Sequence, residues 1–208
     1  MSERDSETRV RLLTAAARLF AERGFHKVTV RDICRKARAN VAAVNYHFGG
    51  KRGLYNEVMQ SAVRSMQETT EAAREAGDRL PPDQQLRAYI DVFLHRVVAD
   101  TRGTWIHQLM MQELSDPTPA FEMVIDQVIR PRMAYLFRVI AELLGCSEQD
   151  ARVARCAMSV HVQCLALLQN PIAGRINPAF ARTPEALDAM VDHIARFSLT
   201  AIRDIARG

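Results

Sequence analysis

Residues 29–53 read TVRDICRKARANVAAVNYHFGGKRG. The stretch holds two short helical patterns separated by Ala39 and Asn40, and the second carries polar and aromatic side chains between basic flanks. Thr29 with Asp32 three positions on has the form of a capping box, in which two otherwise unpaired backbone N–H groups are satisfied reciprocally. The spacing predicts a helix after Thr29, with Ile33 and Ala37 facing inward and Arg31, Arg35, Lys36 and Arg38 on or near its exposed sides. The next helix, Val41 to His47, is too short to be stable alone and must be held by packing, with Val41 and Val44 as anchors. Its outward face then presents Ala42, Ala43, Asn45, Tyr46 and His47. Small side chains permit close approach to a groove, asparagine can pair with adenine through two hydrogen bonds, and tyrosine or histidine can reach phosphates. Gly49 and Gly50 break the chain. Lys51 and Arg52 put positive charge at the start of a further helix, where free N–H groups also favour an anion. The outline is that of a helix-turn-helix reader of DNA.

Working outward, residues 7–23 read as a preceding helix, with Val10, Leu13, Ala17 and Phe20 at helical spacing and Ala16 and Leu19 widening the stripe. Gly24 is placed to end it, and Phe25 offers an apolar plug beside the turn. Downstream, Lys51 to about Ala76 reads as one long helix with Leu54, Val58, Ala62 and Met66 on its apolar side. Charge follows the same division. Residues 1–55 carry 12 Lys and Arg against 5 Asp and Glu, whereas the remainder has 16 against 19, although the whole chain is only +4. A basic surplus at one end is what contact with a polyanion requires, because neutralised phosphates release counterions, but solvated helix faces also carry charge.

The run from Val10 to Tyr55, containing LLTAAARLFAERGFHKVTVRDICRKARANVAAVNYHFGGKRGLY, resembles the DNA-binding domain of the TetR family of bacterial transcriptional regulators. Helix, glycine, aromatic, threonine cap, short recognition helix, His-Phe and Lys-x-x-Leu all appear in register. The resemblance implies DNA contacts from Thr29, Asn40, Ala42, Ala43, Asn45, Tyr46, His47 and Lys51, and packing roles for Phe48 and Leu54. The chain departs from the family pattern at Arg38, where glycine is common before the turn, and at Ala43 and Asn45, where threonine and tyrosine are common. The lost hydroxyls remove phosphate contacts and leave the operator sequence open.

Beyond the long helix every pattern is helical. Residues 83–101 carry Leu86, Ile90, Phe93, Leu94 and Val97, Gly103 separates them from TWIHQLMMQELS, and a longer run reaches Leu144 with Pro131 placed to kink or interrupt it. Ser147 and Asp150 resemble a helix start for a segment ending near Gln169, and Thr183 with Pro184 caps the last helix. The expected fold class is all-α, with a three-helix DNA-binding domain over residues 1–53 and a larger helical effector-binding and dimerisation domain over residues 54–208. The two last helices suit either a monomer core or a dimer seam by periodicity. The family resemblance implies the seam, so a homodimer through residues 147–169 and 184–206 is expected. Its two recognition helices would meet half-sites roughly 34 Å apart on a near-palindromic double-stranded operator.

The same resemblance implies a small-molecule effector held by the helices carrying Phe93, Trp105, His107, Met110, Met111, Phe121 and His161. Aromatic and methionine side chains make an adaptable apolar lining, and they are equally the composition of plain core. His161 and Cys164 share a helix face, with His107 or His193 as conceivable further metal ligands. No HExxH, GxxxxGK[ST] or GxSxG is present, so neither an enzyme nor a metal or cofactor is expected; a helical adaptor is the other alternative. The four cysteines form no CxxC pair, which favours reduced thiols. No run of about 18 apolar residues occurs. The start MSERDSETRVR lacks an apolar leader, so a cytoplasmic protein without membrane contact is expected. The reading is a ligand-responsive transcriptional regulator, with repression expected.

Overall fold

A computed structural model describes residues 3–98, 104–169 and 173–207. The break expected at Gly103 and the first residues of the loop after Gln169 lie outside them. In chain order the helices are α1 (Glu3–Lys27), α2 (Val30–Ala37), α3 (Val41–Phe48), α4 (Lys51–Ala76), α5 (Pro82–Phe93), α6 (Thr104–Ser115), α7 (Phe121–Val124), α8 (Arg130–Leu144), α9 (Ala151–Gln169), α10 (Ala173–Ile176) and α11 (Pro184–Ile205). Wider π turns extend α5 over Leu94–Val98 and join α7 to α8 over Ile125–Ile129. No strand occurs among the described residues.

The chain divides into two compact units, Met1–Ser65 with Thr104–Ile125, and Met66–Gly103 with Asp126–Gly208. The first unit therefore runs past residue 53 and takes in α6, which packs on α1 and buries Leu109 fully. Helix α4 contributes its first part to one unit and its remainder to the other.

In the first unit α1 buries Leu12, Ala15, Ala16, Leu19 and Phe20, whereas Val10 is exposed and Leu13 and Ala17 are half-buried. The inward stripe is thus rotated by about one residue from the sequence expectation. In an alanine-rich helix several stripes have similar hydrophobicity, and the packing partners select among them. At Gly24 the backbone leaves helical geometry (φ 77°, ψ 166°), a left-handed φ that glycine adopts without penalty, and one further turn follows to Lys27. Phe25 then meets the ring of Phe20, at 6.0 Å, and that of Tyr55, at 4.7 Å, both at a tilt.

The second unit has its core in Leu86, Tyr89, Ile90, Leu136, Ile140, Ala157, Val191 and Ile202, drawn from α5, α8, α9 and α11. Pro131 sits in the first turn of α8, directly after the π turn, where its missing N–H interrupts the hydrogen-bond ladder of the run from Phe121. Helix α9 begins at Ala151 rather than beside Ser147, because the Asp150 carboxylate accepts the Arg152 N–H at 2.8 Å. Thr183 caps α11 as expected, accepting from the Ala186 N–H at 3.4 Å. The His95 imidazole lies 3.3 Å from Asp91 on one nitrogen and 3.2 Å from Asp188 on the other, tying the turn after α5 to α11. Among the described residues no helix is long and apolar enough to cross a membrane.

Candidate nucleic-acid interface

Helix α2 starts at the expected capping box. Thr29 Oγ1 accepts the Asp32 N–H at 3.2 Å, and Asp32 accepts the Thr29 N–H, also at 3.2 Å. The Thr29 hydroxyl also donates to the same carboxylate at 2.6 Å. These bonds, the side-chain one foremost, hold the Asp32 carboxyl below its usual range. Thr29 is exposed, yet its hydroxyl proton is committed to Asp32, so a phosphate contact from it requires the hydroxyl to turn away. Ile33, Cys34 and Ala37 are buried, and burial pushes the Cys34 thiol up. The helix ends at Arg38 in left-handed geometry (φ 51°, ψ 50°). A non-glycine residue there costs on the order of 1 kcal/mol, which gives the departure at this position a physical meaning.

Asn40 caps α3 by accepting the Ala42 N–H at 3.0 Å on Oδ1, which leaves its amide N–H groups for a phosphate. Val44 and Phe48 form the inward side of α3. Val41, Ala42, Asn45 and Tyr46 are exposed, and Ala43 and His47 are half-buried. Val41 is therefore not an anchor; it belongs to the outward face, because Val44 and Phe48 at i and i+4 already define the side that meets α1 and α2. Tyr46 is 75% exposed, and its ring meets that of His47 edge-on at 4.9 Å. An exposed valine, alanine and asparagine suit base edges and the thymine methyl group, while tyrosine and histidine reach further out.

The approach between α3 and α4 depends on Gly53. A Cβ there would lie 1.7 Å from the carbonyl oxygen of Phe48, so only glycine lets the start of α4 rest on the end of the recognition helix. Lys51 is half-buried with Nζ 4.4 Å from the centre of the Phe25 ring, and burial draws its pKa down. No acidic residue occupies the first turn of α4, which keeps this helix N-terminus open to a phosphate. Exposed Arg31, Arg35, Lys36, Arg38 and Arg52 surround the face.

The residues expected around an effector fall in both units. Trp105, His107, Met110 and Met111 on α6 and Phe121 on α7 belong to the first, where Met111 is exposed and the others are half-buried. Phe93 and His161 belong to the second and meet edge-on at 5.5 Å, with His161 Nδ1 sharing a hydrogen bond with the Tyr89 hydroxyl at 3.0 Å. Burial, and then the charge of Arg132, press the His161 imidazole down to about 4. Arg132 was not singled out in the sequence, yet it is buried beside Phe93, with the guanidinium carbon 5.3 Å from the ring centre. An arginine in an amphipathic helix carries no sign of burial; its place directly after the helix-interrupting Pro131 was the one hint in the sequence.

A family profile described as bacterial regulatory proteins, tetR family, matches residues 12–58. A second, described as the C-terminal domain of the HTH-type transcriptional dual regulator CecR, matches residues 82–202. The chain belongs to the TetR family. CecR of Shigella flexneri is 30% identical over 163 residues, spanning 74% of this chain and 72% of the relative. A protein of Escherichia coli K12 named "Probable acrEF/envCD operon repressor" is 30% identical over 150 residues, spanning 71% and 66%. Among solved structures, the TetR-family regulator PfmR of Thermus thermophilus superposes with a TM-score of 0.65 at 20% identity, covering 89% of this chain and 97% of its own. A TetR-family regulator of Streptomyces coelicolor gives 0.66 at 20% identity, covering 95% and 97%. As in its relatives, the α2–α3 unit is a DNA-binding element of a transcriptional regulator, and double-stranded DNA is its partner.

Proposed function

We propose that the chain acts as a homodimeric repressor that binds a near-palindromic operator and leaves it when a small molecule binds. The observation that carries the dimer is an apolar surface on the two helices expected to form the seam. Met158 and Val162 on α9 are 56% and 51% exposed, and Phe197 on α11 is 60% exposed, although both helices already bury their opposite sides in the core. Large apolar side chains one helical turn apart, left exposed on neighbouring helices, suit a self-complementary two-fold contact. The relative named as an operon repressor supports repression as the output.

The test begins with sedimentation of the chain and selection of bound sequences from a random duplex library. A dimer and an enriched palindrome are expected, with Phe197→Glu giving a monomer that binds the site far more weakly. Lys51→Ala should weaken all sequences alike and reduce the salt slope by about one ion, whereas Asn45→Ala should change preference at one base position by about 1–3 kcal/mol. A monomer that reads a non-repeated sequence would overturn the proposal.

A further inference from the structure

We propose that Arg132 anchors the acidic group of the effector, and that this effector is a small molecule bearing a carboxylate on an apolar body. The inference rests on the reading of the chain as an effector-controlled regulator and gives that effector a chemical class.

Arg132 is 8% exposed at the start of α8. Its Nε donates to Thr70 Oγ1 at 3.1 Å and its Nη2 to the Met66 carbonyl at 3.0 Å, both on α4. A guanidinium has five N–H donors, and a buried charge is ordinarily paired with an opposite one. Here both acceptors are neutral, and no carboxylate among the described residues lies within ion-pair distance.

The surroundings do not supply the missing charge. Phe93 lies against the guanidinium, and His161 meets Phe93 edge-on while bonded to the Tyr89 hydroxyl. All three groups are neutral near pH 7, and burial moves each further from ionising: it lowers the imidazole, raises the Tyr89 phenol, and pushes the nearby Cys164 thiol up to about 12. Side chains from α4, α5, α8 and α9 therefore converge on one uncompensated positive charge walled by aromatic rings. A carboxylate matches the guanidinium fork with two parallel hydrogen bonds, and an apolar body matches the rings.

The two bonds to α4 are also ones a ligand can replace without loss. The Thr70 hydroxyl lies 3.2 Å from the Met66 carbonyl and donates to it, so drawing the guanidinium away leaves that carbonyl paired. A bound acid thus competes with α4 for Arg132, and α4 is the helix that begins at Lys51.

The test is calorimetric titration of the 208-residue chain with matched probes, 2-naphthoate against 2-naphthamide and decanoate against decanamide. At least one acid is expected to bind about 30-fold more tightly than its amide, a difference that Arg132→Gln erases and the charge-conserving Arg132→Lys partly restores. Thermal unfolding shows whether the variants fold; if Arg132→Gln does not, the wild-type acid and amide pairs and Arg132→Lys decide. The proposal is overturned if acids and amides bind alike, if no acid binds up to its solubility, or if folded Arg132→Gln binds the acids as the wild type does. Occupancy of the selected operator is followed in the same samples. An acid that binds through Arg132 without changing occupancy leaves the anchor standing and overturns release, whereas a chain that selects no DNA site overturns the parent reading alone.

Discussion

In the first unit a buried carboxylate, Glu113, is met by the Tyr55 hydroxyl, by the Thr118 N–H at 3.0 Å and by the Thr118 hydroxyl at 3.0 Å. In the second, a buried guanidinium, Arg132, is met by one hydroxyl and one carbonyl and by no carboxylate. Glu113 is 1% exposed, so both charges are out of water, and the difference lies in how fully each is answered. A fully answered charge holds neighbouring segments in one geometry: Glu113 joins α6 to the start of α4 and to the turn before α7. A partly answered charge keeps donors for something else. Full satisfaction therefore marks structure here and partial satisfaction marks binding.

The sharpest way to break this contrast is to delete the carboxylate. Glu113→Ala leaves the Tyr55 hydroxyl and both Thr118 donors without their acceptor, and should cost about 4 kcal/mol in urea unfolding. A loss below about 1 kcal/mol would mean that these groups find other partners and that the network is not structural.

Acid tests the other side. His161 titrates near 6.5 when unfolded and at about 4 when folded. Between these values the unfolded chain binds more protons, so the folded state loses stability as pH falls from about 6.5 to about 4, and nothing changes above that window. The loss should approach about 3 kcal/mol, read as the difference in unfolding midpoints between wild type and His161→Gln at each pH. Because part of the depression comes from Arg132, removing that charge should move the His161 titration upward in an NMR experiment.

Two smaller effects sharpen the comparison further. Thr118→Val removes one donor while Glu113 keeps Tyr55 and the backbone N–H, and should cost about 1.5 kcal/mol in the same unfolding assay. Arg132→Met should lie within about 1 kcal/mol of wild type, since it leaves no opposite charge unpaired and the Met66 carbonyl keeps the Thr70 hydroxyl. A loss above about 3 kcal/mol would make Arg132 a strut comparable with Glu113 and erase the distinction.

The DNA-binding element was legible because its signals are local. Thr29 and Asp32, Asn40, the glycines after Phe48 and the buried anchor Val44 act within a few residues of themselves. The departure at Arg38 was also legible, and the left-handed φ of 51° supplies its reason. Other features were not. The rotation of the α1 stripe and the exposure of Val41 depend on which neighbours pack against each helix, and several nearly equivalent stripes existed in the sequence. The packing of α6 on α1 and the bond from Tyr55 to Glu113 both join residues far apart in the chain.

By itself the sequence determined an all-helical chain, the ends of most of its helices and a recognition helix flanked by positive charge, because capping, periodicity and charge are properties of neighbouring residues. Only the tertiary structure decided which charges lie out of water and whether they are answered. Glu113 and Arg132 look like ordinary polar positions in amphipathic helices, and what separates them, the donors and acceptors brought from distant helices, exists only after the chain has folded.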